Sequence, residues 1–190
     1  MNFKELVYKN RSYRRFQEEF TIDRETLVEL IDLARHSASG ANMQPLKYFL
    51  SCDPDTNAKI FPNTRWAGYL DGWGGPIPGE RPSAYVVILG DTRISDSFGV
   101  DHGIAAQSIM LGAAERDLGG CIIGSVGRAR LQRELNIPEH YQILLVLALG
   151  KPNEQVVIEP LREEGDIKYW RDEEGVHHVP KRSLDELIVG

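Results

Sequence analysis

The stretch from Asp101 to Ser125, DHGIAAQSIMLGAAERDLGGCIIGS, constrains this chain more than any other. Ile104, Ser108, Leu111 and Leu118 recur at helical spacing, and Ala105, Ala106, Met110 and Ala113 cover much of the remaining surface. A helix that is apolar or small nearly all round belongs in a core or against another subunit. Gly103, Ala106, Gly112 and Ala113 would let a second backbone come close. The pattern makes Asp101 the N-cap and Gly119-Gly120 a left-handed stop, followed by a short buried strand. The segment reads as a central core helix. A dimer seam on one flank, and a ligand-facing loop at Ile123-Gly124-Ser125, are the further roles it leaves open.

With 190 residues the chain can build one sizeable α/β domain with a proper core, or one domain plus an arm. Its net charge of −6 (22 basic against 28 acidic) argues against non-specific nucleic-acid binding. No apolar run approaches the roughly 20 residues needed to span a bilayer. The start, MNFKELVYKN, has no apolar signal segment, so no membrane partner and a cytoplasmic location are expected. Cys52 and Cys121 sit in apolar runs and are expected as buried free thiols.

Phe3 to Lys9 reads as a short amphipathic helix, and Asp23 to His36 as a longer one capped by Asp23. Tyr48–Cys52, Ser83–Leu89 and Gln142–Leu149 read as strands, the last the most apolar and placed mid-sheet. Arg128 to Asn136 is a short helix with Leu131 and Leu135 inward. Residues 53–82 contain five prolines and are expected to be irregular. This segment carries Trp66, Tyr69 and Trp73, which either pack the loop onto the body or cover a substrate pocket. Residues 151–179 are too polar for a core of their own. Ser183 and Glu186 then fit a capping box, so a last helix starts directly after Lys181 and Arg182.

Two clusters carry recognisable chemistry. In NRSYRRF, Arg11, Arg14 and Arg15 surround Ser12; a fully extended strand would turn Ser12 and Arg14 away from Arg11. Gathering them on one anion therefore requires a turn, and the cluster is either a solvated basic turn or a phosphate site. In SASGANMQP, Ser39, Asn42 and Gln44 offer donors and acceptors in close succession, and Pro45 pushes Gln44 towards an extended conformation. No GxGxxG or Walker motif occurs, nor any GxSxG elbow, HxxxH or CxxC. His177 and His178 are adjacent and would face opposite sides of a strand, so no metal site is expected. The pairs Glu18-Glu19, Glu163-Glu164 and Glu173-Glu174 read as solvated. An enzyme without these groups can still borrow its chemistry from a cofactor.

NRSYRRF, SASGANMQP, LGGCIIGS and PKRSLDELI, in this order and spacing, resemble the nitroreductase family over essentially the whole chain. The resemblance implies an α+β sandwich, with a central mixed or antiparallel sheet flanked by helices, forming an intertwined homodimer with two flavins at the interface. It implies FMN as cofactor, with Arg11, Ser12 and Arg14 on its phosphate. Ser39, Asn42 and Gln44 would contact the flavin and ribityl chain, and Ile123 and Gly124 would run along the isoalloxazine. Lys181 and Arg182 would return to the phosphate. Residues 1–150 would be the FMN-binding core and 151–190 an arm completing it. The implied activity is ping-pong electron transfer from NADH or NADPH to an electron-poor small molecule, a nitroaromatic or quinone. The alternatives are a specialised flavin dehydrogenase or dehalogenase, or a flavin-binding protein without turnover. Asn10 and Leu46 depart from the arginine and tryptophan that many members carry there.

Overall fold

The computed structural model describes residues 1–161 and 165–190, which leaves Glu163 and Glu164 outside the described residues. A central sheet organises it. The most apolar strand, β5 (Tyr141–Pro152), lies inside this sheet, as its composition demands. On one side it pairs antiparallel with β3 (Ala84–Asp91), and β3 pairs antiparallel with β2 (Leu46–Ser51). On the other side β5 pairs antiparallel with β4 (Gly119–Ile123) and, at its far end, with β1 (Phe16–Gln17).

Every residue of β3 is buried, because both faces of the sheet are covered. Side chains alternate across a strand. Ala84, Val86 and Ile88, with Leu147 and Leu149 of β5, therefore meet α2 (Arg24–Arg35) and α4 (Asp101–Glu115). Tyr85, Val87 and Leu89, with Val146 and Ala148, face the opposite layer of Ile60, Trp66 and Leu131. That layer includes α3 (Pro54–Ile60) and α5 (Arg128–Glu134). The result is an α/β/α sandwich with α1 (Phe3–Lys9) laid against α4.

Beyond β5 the chain forms a small sheet of its own. β6 (Val156–Pro160) runs parallel to β8 (His177–Lys181), and β7 (Trp170–Arg171) pairs antiparallel with β8. The final helix α6 (Leu184–Leu187) carries the expected capping box, with Ser183 and Glu186 bonding reciprocally. Cys52 is half-buried and Cys121 buried, both as free thiols.

Four expectations need correction. The proline-rich segment contains α3, where Asp53 caps the helix by accepting from the Thr56 N–H and Pro54 takes a first-turn position needing no donor. Asp101 is not a cap but the first helical residue, and its buried carboxylate is turned to the loop before β2. Gly119 and Gly120 do not stop α4, which ends at Glu115 with Asp117 in the left-handed conformation (φ 56°). They lie in β4, where Gly120 is required for close approach: a Cβ there would fall 2.3 Å from the Ala148 carbonyl oxygen. Gln44, finally, is left-handed (φ 51°) rather than extended, in a loop closed by its own N–H donating to Ser39 Oγ at 2.9 Å.

Candidate functional site

The turn demanded by the NRSYRRF cluster is present. After α1 the Tyr13 N–H donates to the Gly120 carbonyl at 2.9 Å, and Ser12 bridges Gly120 in parallel. This lays residues 10–14 along β4. Arg11 Nη2 donates to the Val7 carbonyl at 2.6 Å, and burial draws its pKa down from the usual value. Arg15 departs from the group, since its guanidinium pairs with Glu80 through Nε–H to Oε2 at 2.9 Å.

Arg11, Ser12 and Arg14 line a cavity of about 380 Å³. Strand β8 enters from the far end of the sequence and presents His177, Val179 and Lys181, alternate residues on one face, to the same cavity. Gln107 and Met110 of α4, Ile122 of β4, and Tyr169 also line it, with Val7, Asn10 and Val156. Among the described residues three cations therefore line one cavity, and none of the lining residues is acidic. Buried donors without a partner are costly, and Arg11 Nε and Arg14 Nε are both of this kind among the described residues. A surplus of positive charge with unspent N–H groups suits a phosphate-bearing ligand.

Arg182 lies outside this cavity: it is exposed and donates to Glu186 Oε1 at 3.1 Å. Ile123 points into the core, while its neighbour Ile122 is 40% exposed and faces the cavity. Gly124 follows at the exposed end of β4.

Ser39 and Gln44 line a different cavity, of about 200 Å³, with Asp101, Tyr48 and Ala105. Ser39 Oγ donates to Asp101 Oδ2 at 2.6 Å and the Gly40 N–H to Asp101 Oδ1 at 3.0 Å. Asn42 is exposed and its side-chain oxygen accepts from Gln44 Nε2 at 3.2 Å. Ala41, Asn42 and Gln44 all have positive φ, a cluster of conformations that non-glycine residues rarely adopt and that recurs at ligand sites.

The aromatic candidates separate by burial. Trp66 is 7% exposed in the layer under β3, its indole N–H donating to Thr64 Oγ1 at 3.0 Å. Trp73 packs beneath the Arg171 guanidinium, 4.4 Å from the ring centroid. Tyr69 is the exposed member and contacts Tyr169, centroids 5.1 Å apart, which itself lines the cation cavity. Sequence reasoning did not select Gln107, Met110, Ile122, Tyr169 or His177. For His177 a signal existed, since it stands four residues before Lys181 on a strand. Among the described residues no group of three or more His, Cys, Asp or Glu could hold a metal, and no helix is long and apolar enough to cross a membrane.

An antiparallel sheet between two helical layers, with a cation-lined cavity joining both ends of the chain, defines an α+β sandwich. The sequence profile of the nitroreductase family matches residues 7–68 and 75–151, and the chain belongs to that family. Solved structures share the fold. A nitroreductase family protein from Clostridium novyi NT is 22% identical, with a TM-score of 0.67, over 98% of this chain and 99% of its own. One from Streptococcus pneumoniae TIGR4 is 15% identical, with a TM-score of 0.73, over the whole of both chains. A structure from Exiguobacterium sibiricum 255-15, solved in complex with FMN, is 18% identical, with a TM-score of 0.69, over 90% of this chain and 98% of its own.

Proposed function

We propose that this chain is an FMN-dependent oxidoreductase that works as a homodimer. It would pass electrons from NADH or NADPH to an electron-poor small molecule such as a quinone or nitroaromatic. The observation that carries the reading is the meeting of Arg11, Arg14 and Lys181 with Ser12 in one cavity that no carboxylate lines among the described residues, in a chain of this family. FMN, when bound, supplies reversible redox chemistry that no side chain here provides.

The residues have separable tasks. Arg11, Arg14 and Lys181 hold the phosphate by charge-assisted hydrogen bonds, each contributing roughly 1.5–3 kcal/mol. Ser12 adds a hydroxyl donor. Met110 and Ile122 offer the apolar wall that a flavin ring system needs, and the exposed Gly124 at the end of β4 would supply a backbone N–H to it. Residues 151–190 act as an arm that completes the core of residues 1–150, since Lys181 arrives on β8. Arg182 is left to hold the start of α6. Two free thiols, Cys52 and Cys121, support a reducing, cytoplasmic setting.

Ser39 and Gln44 lie on another cavity of the same chain, with Asn42 bonded to Gln44 beside it. A homodimer reconciles the two positions, with the strained 37–45 loop of one copy meeting the cation cavity of the other. The exposed flank of α4 fits such a seam: Val100 and Ile104 stand 71% and 36% exposed beside Gly103.

The absorption spectrum of the purified protein, followed by anaerobic stopped-flow mixing with NADH and NADPH, tests the reading. Flavin bands that bleach rapidly with either nucleotide are expected. A protein that neither carries nor takes up FMN would overturn it. One that binds FMN but resists both nucleotides would be a flavin protein of another kind.

A further inference from the structure

Arg14 shares the cation cavity with Arg11 and Lys181, and among the described residues no carboxylate pairs with its guanidinium. The nearby carboxylates serve others: Glu80 pairs with Arg15, and Glu154 with Arg171 and the backbone N–H groups of Arg14 and Arg15. Arg14 Nη1 carries two protons and has two acceptors, the Ser12 carbonyl at 3.2 Å and His177 Nε2 at 3.1 Å. A guanidinium only donates, so Nε2 must accept and the imidazole proton must sit on Nδ1. His177 is fully buried, and that Nδ1 has no partner among the described residues. Burial first, then the charges of Arg14, Arg171 and His178, lowers its pKa to about 4, so the ring is neutral at pH 7. Tyr169 forms the other side of the clamp, its centroid 4.8 Å from the Arg14 guanidinium carbon and 5.2 Å from the His177 ring. Cys121 adds a thiol whose pKa burial raises.

We propose that His177, with Tyr169 behind it, is a positioning residue that presets the Arg14 guanidinium for a phosphate. The choice of a neutral acceptor is the physical point. A carboxylate in this place would fix Arg14 equally well but would cancel the charge the ligand needs. An apolar side chain would leave the charge and lose the orientation, so part of the binding energy would go into ordering a long side chain. Both clamp residues lie beyond residue 151, where the family match ends, so the device belongs to the C-terminal segment of this chain.

The inference rests on the FMN reading, and the test separates the two. Three variants, His177→Gln, His177→Leu and His177→Glu, would be titrated with FMN and with riboflavin, which lacks the phosphate, by quenching of flavin fluorescence. Glutamine keeps a neutral acceptor at similar reach, so His177→Gln should bind FMN within a few-fold of the parent. His177→Leu should lose about tenfold and His177→Glu more, with riboflavin affinity unchanged throughout. In an Arg14→Ala background, His177→Leu should cost nothing further. Dependence of the melting temperature on inorganic phosphate gives a readout that needs no flavin. If FMN does not bind but phosphate stabilises the variants in the same order, the cofactor reading fails and the positioning role stands. Equal losses for FMN and riboflavin, an undiminished effect without Arg14, or a parent protein indifferent to both FMN and phosphate would overturn it. Tyr169→Leu repeats the comparison should His177→Leu fail to fold.

Discussion

His177 and His178 are neighbours on β8, and the fold drives their protonation in opposite directions. His177 faces the cation cavity, where burial and the Arg14 and Arg171 charges depress its pKa to about 4. His178 faces the other side, stacked on Trp170 at 3.9 Å, with Nε2 donating to Asp172 Oδ2 at 3.0 Å and Nδ1 donating to Glu159 Oε1 at 2.5 Å. Hydrogen bonding to Asp172, foremost, and to Glu159 raises its pKa. The linkage signs follow. Below the unfolded value of about 6.5 the unfolded chain takes up a proton that folded His177 refuses, so stability falls from there down to about pH 4. His178 does the reverse: its contribution is complete below about pH 6.5 and is lost as pH rises through its raised folded value. In urea melts between pH 4 and 9, His177→Gln should therefore gain on the parent as the medium is acidified. His178→Gln should lose most at acid to neutral pH and approach the parent at alkaline pH. Parallel profiles for parent and both variants would contradict these environments.

The two adjacent cations at the end of β8 should separate just as clearly. Lys181 lines the cavity, whereas Arg182 is exposed and bonded to Glu186. Arg11→Ala and Lys181→Ala should each weaken FMN by about tenfold or more and leave riboflavin nearly untouched. Arg182→Ala should change either flavin by no more than about twofold, as expected for an exposed pair. Titrations in which Arg182 matters as much as Lys181 would reverse the assignment.

What the sequence disclosed and what it hid divide along physical lines. Periodicity located α2, α5, β3 and β5, because a buried element must match its core with its own repeat. Local chemistry located the Ser183 capping box, whose partners are three residues apart. It also contained α3, since Asp53 followed by Pro54 is a helix start; counting prolines as breakers obscured it. Roles fixed by distant partners were not legible. Asp101 looks like a cap until Ser39 and Gly40 are found on its carboxylate. Gly120 looks like a stop until the Ala148 carbonyl is found where a Cβ would have to go. His177 on β8 and Tyr169 just before β7 become site residues only when this small sheet is folded back along Arg14. The family blocks brought Arg11, Ser12, Arg14 and Lys181 to notice, but not the separation of Ser39 and Gln44 into a second cavity.

Gly120 offers a direct stability test. A Cβ at this position would sit 2.3 Å from the Ala148 carbonyl oxygen and 2.8 Å from Leu149 Cδ2, inside the β4–β5 ladder. Backbone cannot yield as a flexible side chain can, so Gly120→Ala should cost about 1–3 kcal/mol, the range of overpacked cores. For a chain of this size that lowers the melting temperature by about 2–4 °C per kcal/mol. Because Ser12 and Tyr13 pair with Gly120, FMN affinity should fall with stability. A variant that melts and binds like the parent would show that the strand has slack there.

Assembly can be tested on α4. Ile104 stands on the exposed flank with Val100, Gly103 and Gln107, away from the core residues Ala105, Ala106 and Ile109. Ile104→Glu should leave the fold intact, as surface changes usually do. If this flank is the seam, sedimentation should show the parent as a dimer and the variant shifted to monomer with its flavin lost. A parent that is a flavin-replete monomer would end the dimer proposal.

Trp66, Tyr69 and Trp73 lie within eight residues of one another, yet only Tyr69 is both exposed and in contact with the cavity wall. Trp66 is enclosed, with its N–H satisfied by Thr64 and its ring 6.0 Å from Phe61. Trp66→Ala should therefore cost about 3–5 kcal/mol through the cavity it leaves, and the folded fraction should treat every acceptor alike. Trp73 is held under Arg171, and Arg171 in turn by Glu154 at 2.7 Å, so Trp73→Ala should also act through stability. Tyr69 differs in being 47% exposed and in touching Tyr169, which belongs to the cavity wall. Removing its ring loosens one side of that wall without opening the core, so Tyr69→Ala should melt within about 0.5 kcal/mol of the parent. Its kcat/KM should rise for bulky quinones relative to small nitroaromatics, with any loss of FMN affinity smaller than that of Tyr169→Leu. If Tyr69→Ala keeps the parent's acceptor ranking while Trp66→Ala changes it, the wall at Tyr169 has no part in selection and the enclosed ring must be sought on the substrate's path.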